Sequence, residues 1–388
     1  MKQFFQSTVV TAGLAIFSML FGAANLYIPV QVGAASGNHY MWGITGFLTT
    51  AVLLPVIGLI AIILFNGNYD DFFARLGKIP GKFIIAFCMA VIGPMIAMSR
   101  IVTLSYTMLS PFLYGMSLPL FSILFCGLTF LATYQENKII DLLGKFISPT
   151  LLISLGIIIV KGLWSATVTP SITCTSGCWN LFYEQAKTGY ETLDVLGSIF
   201  FASIVLSILK KNIKNNDDYN IKTLAWTGMK AGFIGCTLLG IVYTGMALLG
   251  VFYNQGITAT NGATLFSAIS FKILGSYGAL IIATAVGMAC FSTIVALATI
   301  LAEYVQQEIT HNKLSYIHSL LAVLATTTVI SCNGLDSILH FSRPIIFTFY
   351  PVVIVITLVN IIDKLYDTHY LRPSALIALI LSVYINLI

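Results

Sequence analysis

Charge is scarce in this sequence. Its 388 residues include 19 Lys and Arg and 14 Asp and Glu, 9% in all, where a soluble chain carries roughly 25%. So few charges cannot cover a solvated surface, which excludes a soluble globular protein. Catalytic signatures are missing too. There is no H-E-x-x-H, no G-x-S-x-G and no Walker loop, and few titratable groups fall mid-span for acid–base work. These gaps argue against an enzyme. The net charge of +5 does not point to nucleic acid, because cytoplasmic loops of membrane proteins collect Lys and Arg. Cysteine adds little. Cys88, Cys126, Cys236, Cys290 and Cys332 read as small core residues of apolar spans. Cys174 and Cys178 fall in a polar loop, either as a local disulfide or as two free thiols, and are too few for a zinc site.

What is present is apolar: 58% hydrophobic residues and a mean hydropathy of +0.94. The reading is an all-α polytopic membrane protein with about 11 transmembrane helices. The spans run Thr8–Gly33, Tyr40–Phe65, Lys82–Ser110, Ser117–Tyr134, Phe146–Trp164, Gly189–Leu209, Lys222–Phe252, Ser276–Val305, Leu314–Cys332, Ile338–Ile362 and Leu371–Ile388. A polar outer loop covers Ser165–Lys187, and a shorter apolar piece, Ala263–Leu274, lies across the surface. Met1-Lys2 before an apolar run resembles a signal peptide, but about ten further spans follow, so it reads as the first helix. With the N-terminus in the cytoplasm, the inner loops hold Arg75, Lys78, Lys82, Lys138, Lys145, Lys210, Lys211, Lys214, Lys222, Lys313, Lys364 and Arg372. The outer segments hold only Lys161, Lys187, Lys272 and Arg343. That is the positive-inside asymmetry.

The first span carries F-S-M-L-F-G-A-A-N-L-Y-I-P, Phe17 to Pro29. Gly22 weakens a helix interior, and Pro29 removes a donor and crowds the carbonyl of Asn25. The helix is expected to break near its middle. Irregular backbone at membrane depth survives only inside protein or beside a wet cavity, so the break is either a binding site or a packing kink. The sixth span opens T-G-Y-E-T-L-D-V-L-G-S, with Glu191 and Asp194 at the membrane edge and a weak point at Gly197-Ser198. Carboxylates at that depth are expensive; they serve either function or an N-terminal cap. Breaks at corresponding places in two halves point to an inverted-repeat transporter with its site at mid-membrane. In the eighth span, Ala289, Ser292 and Thr293 offer hard oxygen ligands for a small cation such as Na⁺. Arg100, past the midpoint of the third span, either pairs with Asp194, Glu191 or Asp336 as an outer gate or snorkels outward. Gly228 and Gly232 make a small-xxx-small spacing suited to close helix packing.

Together these stretches resemble the bacterial branched-chain amino acid:cation symporter family, the system II carriers. The matching segments are L-F-G-A-A-N-L-Y-I-P (Leu20–Pro29), I-G-P-M-I-A-M-S-R (Ile92–Arg100), G-Y-E-T-L-D-V (Gly189–Val195), A-C-F-S-T (Ala289–Thr293) with Glu303-Tyr304, and G-L-D-S-I-L-H-F-S-R-P (Gly334–Pro344) with Tyr350-Pro351. They run in order over most of the chain. Ala24 stands where the family pattern has Gly, and Ser99 where it has Pro. Relatives are longer, with about twelve spans.

The resemblance implies a five-plus-five inverted repeat of the leucine-transporter kind, with helices 1 and 6 broken. One transport domain fills residues 1–388, its first repeat about 8–164, its second about 189–362, and an extra helix at 371–388. It implies import of branched-chain amino acids (leucine, isoleucine, valine, with methionine as a neighbouring substrate) coupled to Na⁺ or H⁺ by alternating access. The alternative is a cation-coupled permease for another small solute, a different amino acid or a nucleobase. Ala23, Ala24 and Asn25 would face the substrate backbone, and Tyr190, Asp194, Gly197 and Ser198 would line the other side with Phe200 and Phe201 as apolar walls. Carbonyls near Gly22, with Ala289, Ser292 and Thr293, would hold Na⁺, and Arg100 and Glu191 are gate candidates. Beyond the coupling ion no cofactor is implied. The partners are the amino-acid substrate and membrane lipid, with no nucleic acid and no obligate protein. The expected location is the bacterial plasma (inner) membrane.

Overall fold

The computed structural model describes residues 2–113, 115–134, 142–166, 177–214, 221–257, 261–275, 278–366 and 370–387. Among these the secondary structure is helical, without strands. The first part holds α1 (Lys2–Leu20), α2 (Ala23–Ser36), α3 (Tyr40–Leu48), α4 (Leu54–Leu64), α5 (Tyr69–Ala74), α6 (Lys78–Ile92), α7 (Ala97–Leu109), α8 (Leu118–Thr133) and α9 (Ser148–Trp164). The second holds α10 (Cys178–Thr188), α11 (Asp194–Lys214), α12 (Ile221–Tyr253), α13 (Gly262–Leu274), α14 (Ala279–Tyr304), α15 (Tyr316–Ser331), α16 (Leu335–Tyr366) and α17 (Leu371–Leu387). Six runs among the described residues are long and apolar enough to cross a bilayer: Ala23–Leu64, Lys78–Leu109, Leu142–Trp164, Ala225–Tyr253, Ala279–Ile309 and Leu335–Tyr366. Shorter apolar helices stand beside them, among them Val9–Leu20, Leu118–Thr133 and Tyr316–Ser331.

The first span breaks at Gly22, whose backbone is extended (φ −96°, ψ −171°). Pro29 does not break it. The residue sits buried inside α2, and the helix continues through it to Ser36. The sixth span departs further from expectation. Its helix is continuous through Gly197-Ser198, and the break lies upstream, at a 3₁₀ turn Gly189–Thr192 followed by Leu193 in the left-handed region (φ 60°, ψ 18°). Within the segment read as an outer loop, residues 178–187 are helical, as α10. Tertiary partners hold this break in place. The Thr50 hydroxyl donates to the carbonyl of Ala186 in the last turn of α10 (2.7 Å), and the amide of Val195 donates to the hydroxyl of Tyr350 (2.9 Å). A third interruption was not foreseen: Gly93–Ile96 separates α6 from α7. Pro94 lies in it, and a proline within an apolar run was the signal that could have found it.

The long α12 lies along both halves of the interrupted first span. A Cβ on Gly33 would sit 1.8 Å from the carbonyl oxygen of Ala247, and one on Gly250 would sit 2.1 Å from that of Val30. Only glycine permits such backbone approach, the usual way of packing helices where lipid supplies no hydrophobic drive. Gly228 and Gly232 of the same helix seat the side chains of Leu206 and Leu59. The piece read as lying across the surface is α13, started by an Asn261–Thr264 capping box. It buries Phe266 and Ile269 and packs on α2.

Candidate functional site at the helix breaks

The break at Gly22 redirects polar backbone into the protein. The amide of Gly22 turns back to the carbonyl of Leu20 (2.9 Å), and α2 starts at Ala23 with no side-chain cap. A helix's first amides have no partner of their own and carry its positive end. Those of Ala23 and Ala24 stand at a cavity of about 50 Å³, room for a few waters, so the pathway is nearly closed in this state. The starts of two other helices line the same cavity, Ala97 of α7 and Asp194 of α11.

Asn25 and Asp194 meet across it. Asn25 Nδ2 donates to the carbonyl of Leu20 (2.8 Å) and to Asp194 Oδ1 (3.1 Å). Tyr243 of α12 donates its hydroxyl to Asp194 Oδ2 (2.7 Å). The two broken spans are therefore tied by one carboxyl group and a tyrosine from a third element. Tyr243 escaped the sequence reading. A lone tyrosine in an apolar run is a hint, but nothing in the spacing says that it meets Asp194. Gly197 and Phe201 line the cavity. Ser198 does not: its hydroxyl donates to Val195 O (2.8 Å), with Gly58 of α4 beside it. Tyr190 is half-buried and packs against Tyr350, ring centroids 5.2 Å apart and planes tilted by 39°. Phe200 faces Tyr69 and Phe73.

The two hydroxyls of α14 separate. Thr293 Oγ1 donates to the carbonyl of Met19 at the end of α1 (3.0 Å) and lies against Gly22, where a Cβ would approach it to 3.1 Å. Ser292 donates to Ala289 O in its own helix (3.0 Å). Gly22 and Thr293 line the cavity; Ala289 and Ser292 stand behind it, fully buried. A hydroxyl beside freed carbonyls is a set of hard oxygens suited to a small hard cation.

Above the cavity, Arg100 Nη2 donates to the backbone carbonyl of Glu191. The Glu191 carboxylate turns instead to Arg343 of α16, Oε1 to Nε 3.6 Å. Asp336 is exposed. The Cys174–Cys178 pairing falls partly on Cys174, which lies outside the described residues; Cys178 Sγ is 3.9 Å from His39 Nδ1.

Similar proteins are known by sequence and by fold. The branched-chain amino acid permease BraB of Bacillus subtilis is 30% identical over 91% of this chain and 80% of its own length. The branched-chain amino acid transport system 3 carrier protein of Pseudomonas aeruginosa is 29% identical over 97% and 86%. Among solved structures, MhsT in complex with L-phenylalanine has a TM-score of 0.59 at 15% identity, covering 97% of each chain. Mhp1, a nucleobase-cation-symport-1 family transporter, has 0.60 at 15%, covering 97% and 91%. These structures share the fold. The relatives are permeases and the structural neighbours are transporters, not enzymes. Residues 5–387 match the profile described as "Branched-chain amino acid transport protein", and the chain belongs to that family.

Proposed function

We propose that the protein imports leucine, isoleucine and valine, with methionine as a neighbouring substrate, together with Na⁺ by alternating access. The observation that carries the coupling is Thr293 seated on the Gly22 break with its hydroxyl on the Met19 carbonyl. In this reading Gly22, Ala289, Ser292 and Thr293 form the cation region. Ala23, Ala24, Asn25, Asp194 and Gly197 face the substrate, with Phe201 as an apolar wall. Cation binding orders the first break and raises substrate affinity, and linkage requires substrate to raise cation affinity by the same factor. In the same reading the repeats run about 8–164 and 189–362, the membrane is the bacterial inner membrane, and the N-terminus is cytoplasmic, which the lysine-rich loops support. H⁺ is a second coupling ion, favoured by one observation: Asp194 is a buried carboxyl held by neutral donors.

The test is uptake of labelled leucine into proteoliposomes under an inward Na⁺ gradient, an inward H⁺ gradient, or neither, with isoleucine, valine, methionine and a polar amino acid as competitors. Accumulation with Na⁺ alone, blocked by the branched competitors, supports the reading. Accumulation with H⁺ alone moves coupling to Asp194. Competition by a nucleobase instead of leucine's relatives overturns the substrate class.

A further inference from the structure

Two ionisable side chains line the cavity, Arg100 and Asp194, and neither is in an ion pair within 4 Å among the described residues. Arg100 is 4% exposed. Its hydrogen bond runs to a neutral carbonyl. Ion pairs elsewhere join Lys82 to Glu308, Lys187 to Glu184 and Arg343 to Glu191. By engaging the Glu191 carboxylate, Arg343 leaves Arg100 with that residue's backbone only. Asp194 is 2% exposed and is held by an amide and a phenol, both neutral. A lone charge inside a membrane protein is expensive unless something pairs with it. Here an unpaired cation on α7 and an unpaired acid on α11 share one cavity without closing on each other.

We propose that Arg100 anchors the α-carboxylate of the substrate while Asp194 takes its ammonium, so that a zwitterionic α-amino acid completes two half-made ion pairs. The inference rests on the amino-acid reading above and extends it, since there the carboxylate met only the first amides of α2. The third break is what brings Arg100 to this task. Because α6 stops at Ile92 and α7 restarts at Ala97, the first turn of α7 faces inward, and Ala97, Arg100 and Ile101 all line the cavity. The Ser99 hydroxyl fastens that turn to the carbonyl of Pro94. A guanidinium has several donors in a planar fork that fits a carboxylate two bonds at a time. The Glu191 carbonyl uses one of them, and the positive end of α7 adds to the same field.

The experiment is equilibrium binding of leucine and leucinamide to the full chain in lipid nanodiscs, for wild type, Arg100→Gln and Arg100→Lys. Leucinamide keeps the ammonium and side chain but lacks the anionic group. Wild type should bind leucine about 10- to 100-fold more tightly than leucinamide, the factor of a charge-assisted contact. Arg100→Gln should lose that factor for leucine and leave leucinamide little changed, so that the two bind alike; Arg100→Lys should fall between. Equal weakening of both ligands, or discrimination kept in Arg100→Gln, overturns the anchor and leaves Arg100 a gate. If Arg100→Gln does not fold, wild type and Arg100→Lys decide, because a wild type that does not distinguish leucine from leucinamide overturns the proposal unaided. A wild type that binds no α-amino acid but takes another solute overturns the transport reading, and the anchor with it.

Discussion

Thr293 and Ser292 are adjacent in sequence and differ in what they can reach. Thr293 crosses to the Met19 carbonyl at the first break, whereas Ser292 bonds within its own helix. Thr293→Val keeps the shape and removes the hydroxyl. It should raise the Na⁺ concentration for half-maximal uptake by about tenfold, the worth of one buried hydrogen bond, while Ser292→Ala should change it far less. A flux titration with Na⁺ on both variants measures this, and equal effects would remove Thr293 from its special place. Tyr243 makes the same point from the other side. Its hydroxyl is one of the donors to a buried carboxyl group, so Tyr243→Phe should cost about 1–3 kcal/mol of stability. Thermal unfolding of the purified protein, with and without leucine, reads that loss.

At the level of elements, the interrupted first span is held by backbone contact with α12. No side chain fits at Gly33, where a Cβ would overlap the Ala247 carbonyl. Gly33→Ala should therefore destabilise by about 1–3 kcal/mol or more, as overpacking does, and broaden the size-exclusion profile. Gly156 of α9 is the control, with nothing within 4 Å of an added Cβ. There Gly→Ala should be neutral or stabilise by about 0.5–1 kcal/mol through helix propensity. Opposite signs for one chemical change would locate the tight seam, and equal signs would argue against it. The three interruptions differ in how far local chemistry announces them. Gly22 is legible because it precedes the polar Asn25 in an otherwise apolar run and weakens the helix there. Gly93–Ile96 is legible in Pro94, a proline within an apolar run. The break before Asp194 was misplaced at Gly197-Ser198, because the local sequence favours those small residues while Thr50 and Tyr350, distant in the chain, hold Gly189–Leu193 open.

For the whole molecule, a cavity of about 50 Å³ requires the surrounding helices to part before a substrate can enter or leave. The Glu191–Arg343 pair joins the sixth-span break to α16 on one side. Cysteines at those two positions, in a background lacking other exposed cysteines, should be bridged by a short bifunctional thiol reagent. Bridging should stop transport, and a reductant should restore it when the bridge is cleavable. Unimpaired transport after complete bridging would mean that α16 does not move relative to this break. On the opposite side, Lys82 of α6 pairs with Glu308 (3.2 Å). Asp70 of the connecting helix α5 lies near, its carboxyl pushed above the usual carboxylate range by burial and then by the charge of Glu308. A raised carboxyl favours the folded state while protonated. That share of stability is complete at acid pH and is lost as pH rises through the raised value. Asp70→Asn should flatten this part of the stability–pH curve, and an unchanged curve would show that Asp70 does not contribute to it.

The sequence by itself determined the class of molecule and the chemistry of its parts. A chain with 9% charged residues must be solvated by lipid, and a glycine in an apolar span has a lower helix propensity than the residues around it. Asn25, Asp194, Thr293 and Arg100 were visible for the same reason, since polar groups in apolar runs are costly and therefore few. Only the tertiary structure decided which of them meet. Asn25 and Asp194 are 169 residues apart and share a hydrogen bond, Thr293 reaches back 274 residues to Met19, and Ser198 and Tyr190 turn away from the cavity that their neighbours line. Such contacts depend on helix rotation and on backbone approach at glycines. Both are set by packing against elements far away in the chain, where helical periodicity carries no information about the partner.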